Sequence, residues 1–158
     1  MTGIADRPST LPWPPILYCI AIVLAVALGW LVPLPWIGQP MSDMLFAIGL
    51  IVAAGGLALD IVSVRTLLRH RTTFSPIAAA GHLVTTGPYA LSRNPIYLGN
   101  TLIMIGAGLA SGIAWFLLLA LVAAFATQKL AIEREERHLD ARFGKRWRDY
   151  AKKVRRWI

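Results

Sequence analysis

The sequence predicts an all-α integral membrane protein with about four transmembrane helices, the last two a tight helical hairpin, followed by a C-terminal cytoplasmic amphipathic helix. Of its 158 residues 56% are hydrophobic and only 15% charged, against about 25% charged in an average soluble domain, so lipid is the expected solvent. The apolar residues fall into runs approaching the ~20 that cross a bilayer. The basic residues are segregated. Every Lys and Arg except Arg7 lies between Arg65 and Arg93 or between Lys129 and Arg156, and each block abuts an apolar run, as the positive-inside rule describes.

Residues 1–15 read as a polar, proline-rich tail with Trp13 as an interfacial anchor. The first span runs from about Ile16 to Val32 and stops at Pro33-Leu34-Pro35-Trp36, where proline removes backbone donors that a helix needs. It is long and lacks a small-x-small cleavage site before a polar mature chain, so it reads as a retained span and not a signal peptide. The single cysteine, Cys19, lies inside it, which excludes an intramolecular disulfide or a thiolate metal cluster.

The second span runs from about Met44 to Val64, with Gly49, Gly55 and Gly56 offering close approach to a neighbour. Its one charge is Asp60, which either pairs with Arg65 or lines a pocket. The stretch from Arg65 to Asn94 reads as an ordered loop with short helical pieces. Pro95 opens a third apolar run to about Leu109, Ser111-Gly112 breaks it, and a fourth runs from Ile113 to about Thr127. Both are short for independent spans, which favours a tight antiparallel hairpin. Beyond Lys129 the residues Leu130, Ile132, Leu139, Phe143, Trp147, Tyr150 and Val154 recur at helical intervals among charges. That segment is expected to lie along the membrane surface.

The connection after the first span and the Ser111-Gly112 turn carry no Lys or Arg, so both basic blocks are expected in the cytoplasm, and an even number of spans puts both termini there too. A bacterial inner membrane is the expected location. The whole chain reads as one membrane domain: a tail (1–15), two N-terminal spans (16–64), and a hairpin, loop and C-terminal segment around one site (65–156). The net charge of +8 sits beside spans, which points to membrane lipids as partners and away from nucleic acid.

Two clusters carry chemistry. The first is Gly81-His82-Leu83-Val84-Thr85-Thr86-Gly87-Pro88-Tyr89 with Ser92-Arg93-Asn94-Pro95-Ile96-Tyr97-Leu98-Gly99. Turn signals, a proline at the first helical position and interfacial tyrosines account for part of it, but not for so many polar groups at the mouth of a hairpin. The second is Glu133-Arg134-Glu135-Glu136 with Leu139, Phe143-Gly144, Trp147 and Tyr150. A carboxylate at the end of a span is costly unless it faces a polar cavity or a partner, and a cationic ligand is such a partner. No pair of His or carboxylate residues has metal spacing, so no metal is expected. His70, between Arg69 and Arg71, reads as part of a headgroup-binding stripe.

The pattern Leu83-Val84-Thr85-Thr86-Gly87-Pro88-Tyr89, Arg93-Asn94-Pro95-x-Tyr97-x-Gly99, then Glu135-Glu136-x-x-Leu139-x-x-x-Phe143-Gly144-x-x-Trp147-x-x-Tyr150 resembles the isoprenylcysteine carboxyl methyltransferase and phospholipid methyltransferase family. The resemblance covers about residues 81 to 156. It implies a hairpin, loop and C-terminal segment that enclose S-adenosylmethionine on the cytoplasmic side. Carried over position by position, it implies cofactor contacts at Leu83, Val84, Gly87, Tyr89, Arg93, Asn94, Pro95, Tyr97 and Glu135. Gly87 permits close backbone approach, the amides opening the third span suit a carboxylate, and Glu135 suits an ammonium group.

Methyl transfer needs alignment and electrostatics more than a nucleophilic side chain. Arg93, Arg134 and His82 are the catalytic candidates, with Lys129 nearby. The chain departs from the pattern at three places. Asn94 stands where the family often has histidine, His82 is one position later than the histidine of the isoprenylcysteine enzymes, and the arginine those enzymes use toward substrate corresponds to Ala131. A lipid-like or small apolar methyl acceptor is therefore expected in place of a prenylcysteine carboxylate. Two other readings compete. One is an NADPH-dependent membrane reductase related to the sterol reductases, which look similar near their C-termini but are much longer. The other is a non-enzymatic lipid-binding membrane protein whose basic residues each contribute ~1 kcal/mol at an anionic surface, a reading that leaves Gly87, Arg93-Asn94-Pro95 and Glu135 unexplained.

Overall fold

A computed structural model of the chain describes residues 13–70 and 83–158, and all regular structure within them is helical. Helix α1 (Trp13–Leu31) carries Pro14 and Pro15 in its first turn, where missing N–H groups cost no intrahelical bond, and it ends just before Pro33. Helix α2 (Met41–Arg69) runs past the expected stop at Val64, because Val64 to Leu68 contains no helix breaker and Arg69 suits the negative end of the helix dipole. The start of the expected polar loop is thus helix.

Helix α3 (Pro95–Ser111) opens on proline at its first position and closes on Gly112, which takes the left-handed conformation at φ 73° while its N–H caps the Gly108 carbonyl. Helix α4 (Ala114–Thr127) follows at once, as the hairpin reading requires. The fourth apolar run does not stop at Thr127, however. A π turn (Gln128–Ile132) joins α4 to α5 (Glu133–Phe143) without interruption, since Leu130, Ala131 and Ile132 continue the apolar face and nothing in the stretch breaks a helix. The separate surface helix expected from Lys129 is therefore a continuation of the last span, and only after Gly144 does a distinct short helix, α6 (Lys145–Lys153), begin.

Among the described residues three helices are long and apolar enough to cross a membrane: α1, α2 and the continuous Ala114–Phe143 segment, whereas α3, at 17 residues, is shorter. Val23, Ile51, Leu121 and Phe125 are each more than 60% exposed on the outer surface. In water such a surface is prohibitive; it is what lipid tails cover. The chain is a membrane protein.

Helices α2 and α3 pair most closely, antiparallel, through small residues. Gly49 meets Gly106 and Ala110, and Gly56 meets Gly99 and Ile103. A Cβ at Gly106 would lie 2.5 Å from Ala53 N and from Gly49 O, so the two backbones touch directly. Gly55, by contrast, faces open space and takes no part in the seam its position in the sequence suggested. Overpacking costs ~1–3 kcal/mol, and ~1 kcal/mol moves the melting temperature by about 2–4 °C at this size. Gly106→Val should accordingly lower the unfolding temperature in micelles by several degrees, while Gly55→Ala leaves it unchanged; equal melting of the two variants would contradict this packing.

Helix α1 lies antiparallel to α4, with Trp115 Nε1 donating to the Val32 carbonyl at 2.8 Å. Tyr18, Ala21, Ala25, Met104, Phe116, Ala120 and Ala123 form the core between α1, α3 and α4. The end of α2, the start of α3, the π turn and α5 thereby gather at one end of the bundle.

Candidate functional site

The site at that end is built from the segment before α3, the first turns of α3, α5 and the chain after α6. After the irregular stretch Leu83 to Thr86 comes a single 3-10 turn, Gly87–Ala90. Gly87 adopts φ +61°, which a side chain would resist, and its open face looks toward Thr66 of α2. His70, at the end of α2, shares a 3.2 Å hydrogen bond with Thr86 Oγ1, so this histidine fastens the segment to α2. Val84 and Pro88 are buried; Leu83 and Tyr89 are half-buried.

Tyr97, on the first turn of α3, donates from its hydroxyl to Glu135 Oε1 at 2.9 Å. Its carbonyl is held in turn by Thr101 Oγ1 at 2.8 Å and Tyr18 at 3.1 Å, and Tyr18 and Thr101 share a 2.6 Å hydroxyl pair. Tyr97 is thus aimed by three helices. Glu135 stands beyond the apolar stretch that ends at Ile132. Burial pushes its carboxyl up to about 6, the Tyr97 hydrogen bond opposes the rise, and the neighbouring Glu136 charge adds to it. A carboxylate in that condition gains from any cation placed beside it.

Glu136 takes two guanidinium groups. Arg93 Nη1 reaches its Oε1 at 3.0 Å, and Arg156 forks onto both oxygens at 3.0 and 2.6 Å. Arg93 also lies 5.7 Å from the centre of the Trp147 ring, a cation–π arrangement, and its Nε is buried with no hydrogen-bond partner among the described residues. Asn94 gives its side-chain amide to the Arg156 carbonyl at 2.9 Å, and the Arg93 N–H gives to the Arg155 carbonyl at 3.0 Å. Ser92 Oγ receives the Asn94 N–H at 3.1 Å and donates to Arg156 O at 3.4 Å. Tyr150 donates to the Tyr89 carbonyl at 2.6 Å; burial holds its own hydroxyl up at about 12, against the nearby Arg93 charge. The same burial, helped by Tyr150 and Glu135, raises Tyr89. Trp157 Nε1 completes the strap by donating to Gln128 Oε1, on the π turn, at 2.8 Å.

Of the residues singled out in the sequence, Tyr89, Arg93, Asn94, Pro95, Tyr97 and Glu135 come together here. Arg134 is exposed, apart from the two carboxylates that follow it. His82 lies outside the described residues. Ala131 is buried. Pairing of Asp60 with Arg65 does not occur: Asp60 Oδ1 is buried against α3 with no partner among the described residues. Sequence reasoning passed over Glu136, Arg156, Ser92, Trp147 and Tyr18 as site builders. Glu136 and Trp147 stood in the motif, whereas Arg156 was one arginine in a basic run, and nothing in spacing marks a tail that folds back.

A family model described as phospholipid methyltransferase matches residues 44–146, which takes in most of α2, all of α3 to α5, the first motif cluster and the second as far as Gly144. Among curated proteins, the nickel-cobalt-cadmium resistance protein NccN of Alcaligenes xylosoxydans xylosoxydans is similar: 40% identical over 73 residues, 46% of this chain and 33% of that protein. The match thus spans about a third of that relative's length.

Proposed function

Because the chain belongs to the phospholipid methyltransferase family, we propose that it is a membrane-embedded S-adenosylmethionine-dependent methyltransferase acting on a lipid-like or small apolar acceptor at the cytoplasmic face. The observation that carries this reading is the Tyr97–Glu135 hydrogen bond, which joins the first turn of α3 to the charged helix α5 that continues the last span. The donor set fits a zwitterionic, cationic cofactor. Glu135 offers a carboxylate in need of a cation. Pro95 has no N–H and the Leu98 N–H is taken by the Asn94 carbonyl at 3.0 Å, so Ile96 and Tyr97 present first-turn amides with no intrahelical partner, suited to a carboxylate.

Bound S-adenosylmethionine supplies a methyl group on a sulfonium, so its departure needs no acid. In this reading the chain's own work is positional. Glu135 and the α3 amides fix the amino-acid end, and Gly87 lets the backbone approach. The strap from Val154 to Ile158, tied to Ser92, Asn94 and Glu136, keeps water out from above. Arg93 is occupied by Glu136 and Trp147, so its role is to hold this wall, with its buried Nε left without a partner among the described residues. We read α3 as a fourth, short crossing, with both termini and the site on the cytoplasmic side where Arg69, Arg93 and the basic helices gather.

Calorimetric titration of the purified protein in micelles tests this: saturable binding of S-adenosylmethionine and none of NADPH is expected, and the reverse pattern sinks it. The affinity should also depend on pH with a definite sign. The ionised form of Glu135 is the one that meets an ammonium group, so binding should be level above about pH 6 and weaken up to about tenfold per unit below it. A pH-independent affinity between 5 and 7 would remove Glu135 from that role.

A further inference from the structure

Asp60 is a charge within a membrane span, which is costly unless the residue meets a partner or a ligand. It lies on the face of α2 that carries Gly49, Gly56, Ser63 and Leu67, all buried, and so it points into the α2–α3 seam. The seam makes room for it. Gly99 is the residue opposite, and a Cβ there would occupy the place of the Asp60 carboxylate. Its Oδ1 is fully buried and finds no hydrogen-bond partner among the described residues, although an acceptor left unmade inside a protein costs ~1–3 kcal/mol.

The surroundings are polar on the side of the site. Asp60 packs on Gly99, two residues beyond Tyr97 in α3. Thr127 Oγ1, at the end of α4, is likewise buried with no partner among the described residues. Tyr18 bonds to the Tyr97 carbonyl, which links this pocket wall to the Tyr97–Glu135 pair. On the outer side Leu57, Ile61 and Val62 are exposed and apolar, so Asp60, itself half-buried, stands one step from the bilayer.

We infer that Asp60 recognises the head of the methyl acceptor: its half-exposed carboxylate takes a hydrogen bond from an N–H or O–H on an amphiphile that reaches it from the bilayer along the exposed Leu57, Ile61 and Val62 side of α2, and its charge turns carboxylates away. The inference rests on the methyltransferase reading only for the word acceptor; the binding site itself does not depend on it. An anionic head meets repulsion from Asp60, which has no ion pair among the described residues, whereas a donor hydrogen gives the carboxylate a partner that it lacks among them.

The test uses the full chain in nanodiscs, with empty discs as the blank, and four single-chain probes: dodecylamine, dodecyltrimethylammonium, dodecanol and dodecanoate. Saturable binding of dodecylamine and dodecanol is expected, at least tenfold weaker binding of the trimethyl analogue, and none of dodecanoate. The trimethyl probe keeps the positive charge and lacks the donor, so it separates hydrogen bonding from attraction without any variant. Asp60→Asn should weaken dodecylamine binding tenfold or more, admit dodecanoate, and leave S-adenosylmethionine affinity unchanged. Equal binding of the primary and trimethyl amines, wild-type amine affinity in Asp60→Asn, or tight binding of dodecanoate by the unaltered protein each overturns the proposal. Amine recognition without S-adenosylmethionine binding would overturn the methyltransferase reading and leave Asp60's role standing.

Discussion

Replacing Glu135 with alanine should raise the dissociation constant for S-adenosylmethionine by about two orders of magnitude or more. Truncating one member of a desolvated charge pair costs ~2–5 kcal/mol, and ~1.4 kcal/mol is tenfold in affinity. Glu135→Gln keeps the volume and an oxygen for the Tyr97 hydroxyl but loses the charge, so it should lose most of the affinity and all of its dependence on pH. Tyr97→Phe acts in the opposite way on the titration. The hydrogen bond from Tyr97 is what opposes the rise in the Glu135 carboxyl, so without it the pH midpoint for binding should move upward from about 6, with a smaller loss of affinity. Titration calorimetry across pH on the three variants gives all of these results, and wild-type affinity in Glu135→Ala would refute the assignment of Glu135 to the cofactor.

The second large effect is on the fold. Glu136 neutralises Arg93 and Arg156 together, with side chains 15%, 15% and 31% exposed respectively. Glu136→Ala leaves two guanidinium groups facing each other with no anion between them. Breaking a buried pair costs ~3–5 kcal/mol, and the partial exposure here brings the expectation to about 2–3 kcal/mol. At ~2–4 °C per kcal/mol for a chain of this size, the melting temperature should drop by about 5–10 °C. The strap should also come away first, because its remaining ties are single hydrogen bonds to Ser92, Asn94, the Arg93 backbone and Gln128. Limited trypsin digestion should then cut after Lys152 and Lys153 well before the bundle melts. Glu136→Gln should fall between the two. A variant that melts like the wild type with an uncut C-terminus would show that the strap is held by something else.

The sequence made the bundle legible because each of its cues is local. Pro95 and Gly112 bound α3 by backbone conformation alone, and Pro33 ends α1. Charge is a poorer marker of helix ends: Arg65 and Lys129 open the two basic blocks, yet both sit in continuous helix, since a long basic side chain can reach outward without unwinding the backbone that carries it. At the site, the motif residues Tyr97 and Glu135 do meet. What pattern could not supply was pairing at long range. Nothing in the spelling of Arg155-Arg156-Trp157 indicates that it returns to Ser92, Asn94 and Gln128, and nothing in the spacing of Gly56, Asp60 and Gly99 states that a carboxylate fits only where a side chain is missing.

The π turn at Gln128–Ile132 decides which charge the site has. In a regular helix each residue advances ~100°, and the buried line of α4 through Ala120, Ala123, Thr127 and Ala131 would continue to Arg134. A π turn absorbs about one extra residue, so the line passes instead to Ile132 and then Glu135, and Arg134 is turned outward. The same letters on an unbroken α-helix would present a cation to the Tyr97 hydroxyl and an anion to bulk water, a pocket built for phosphates or carboxylates. One residue of slack in the backbone thus sets which charge meets Tyr97, the Glu135 carboxylate in place of the Arg134 guanidinium.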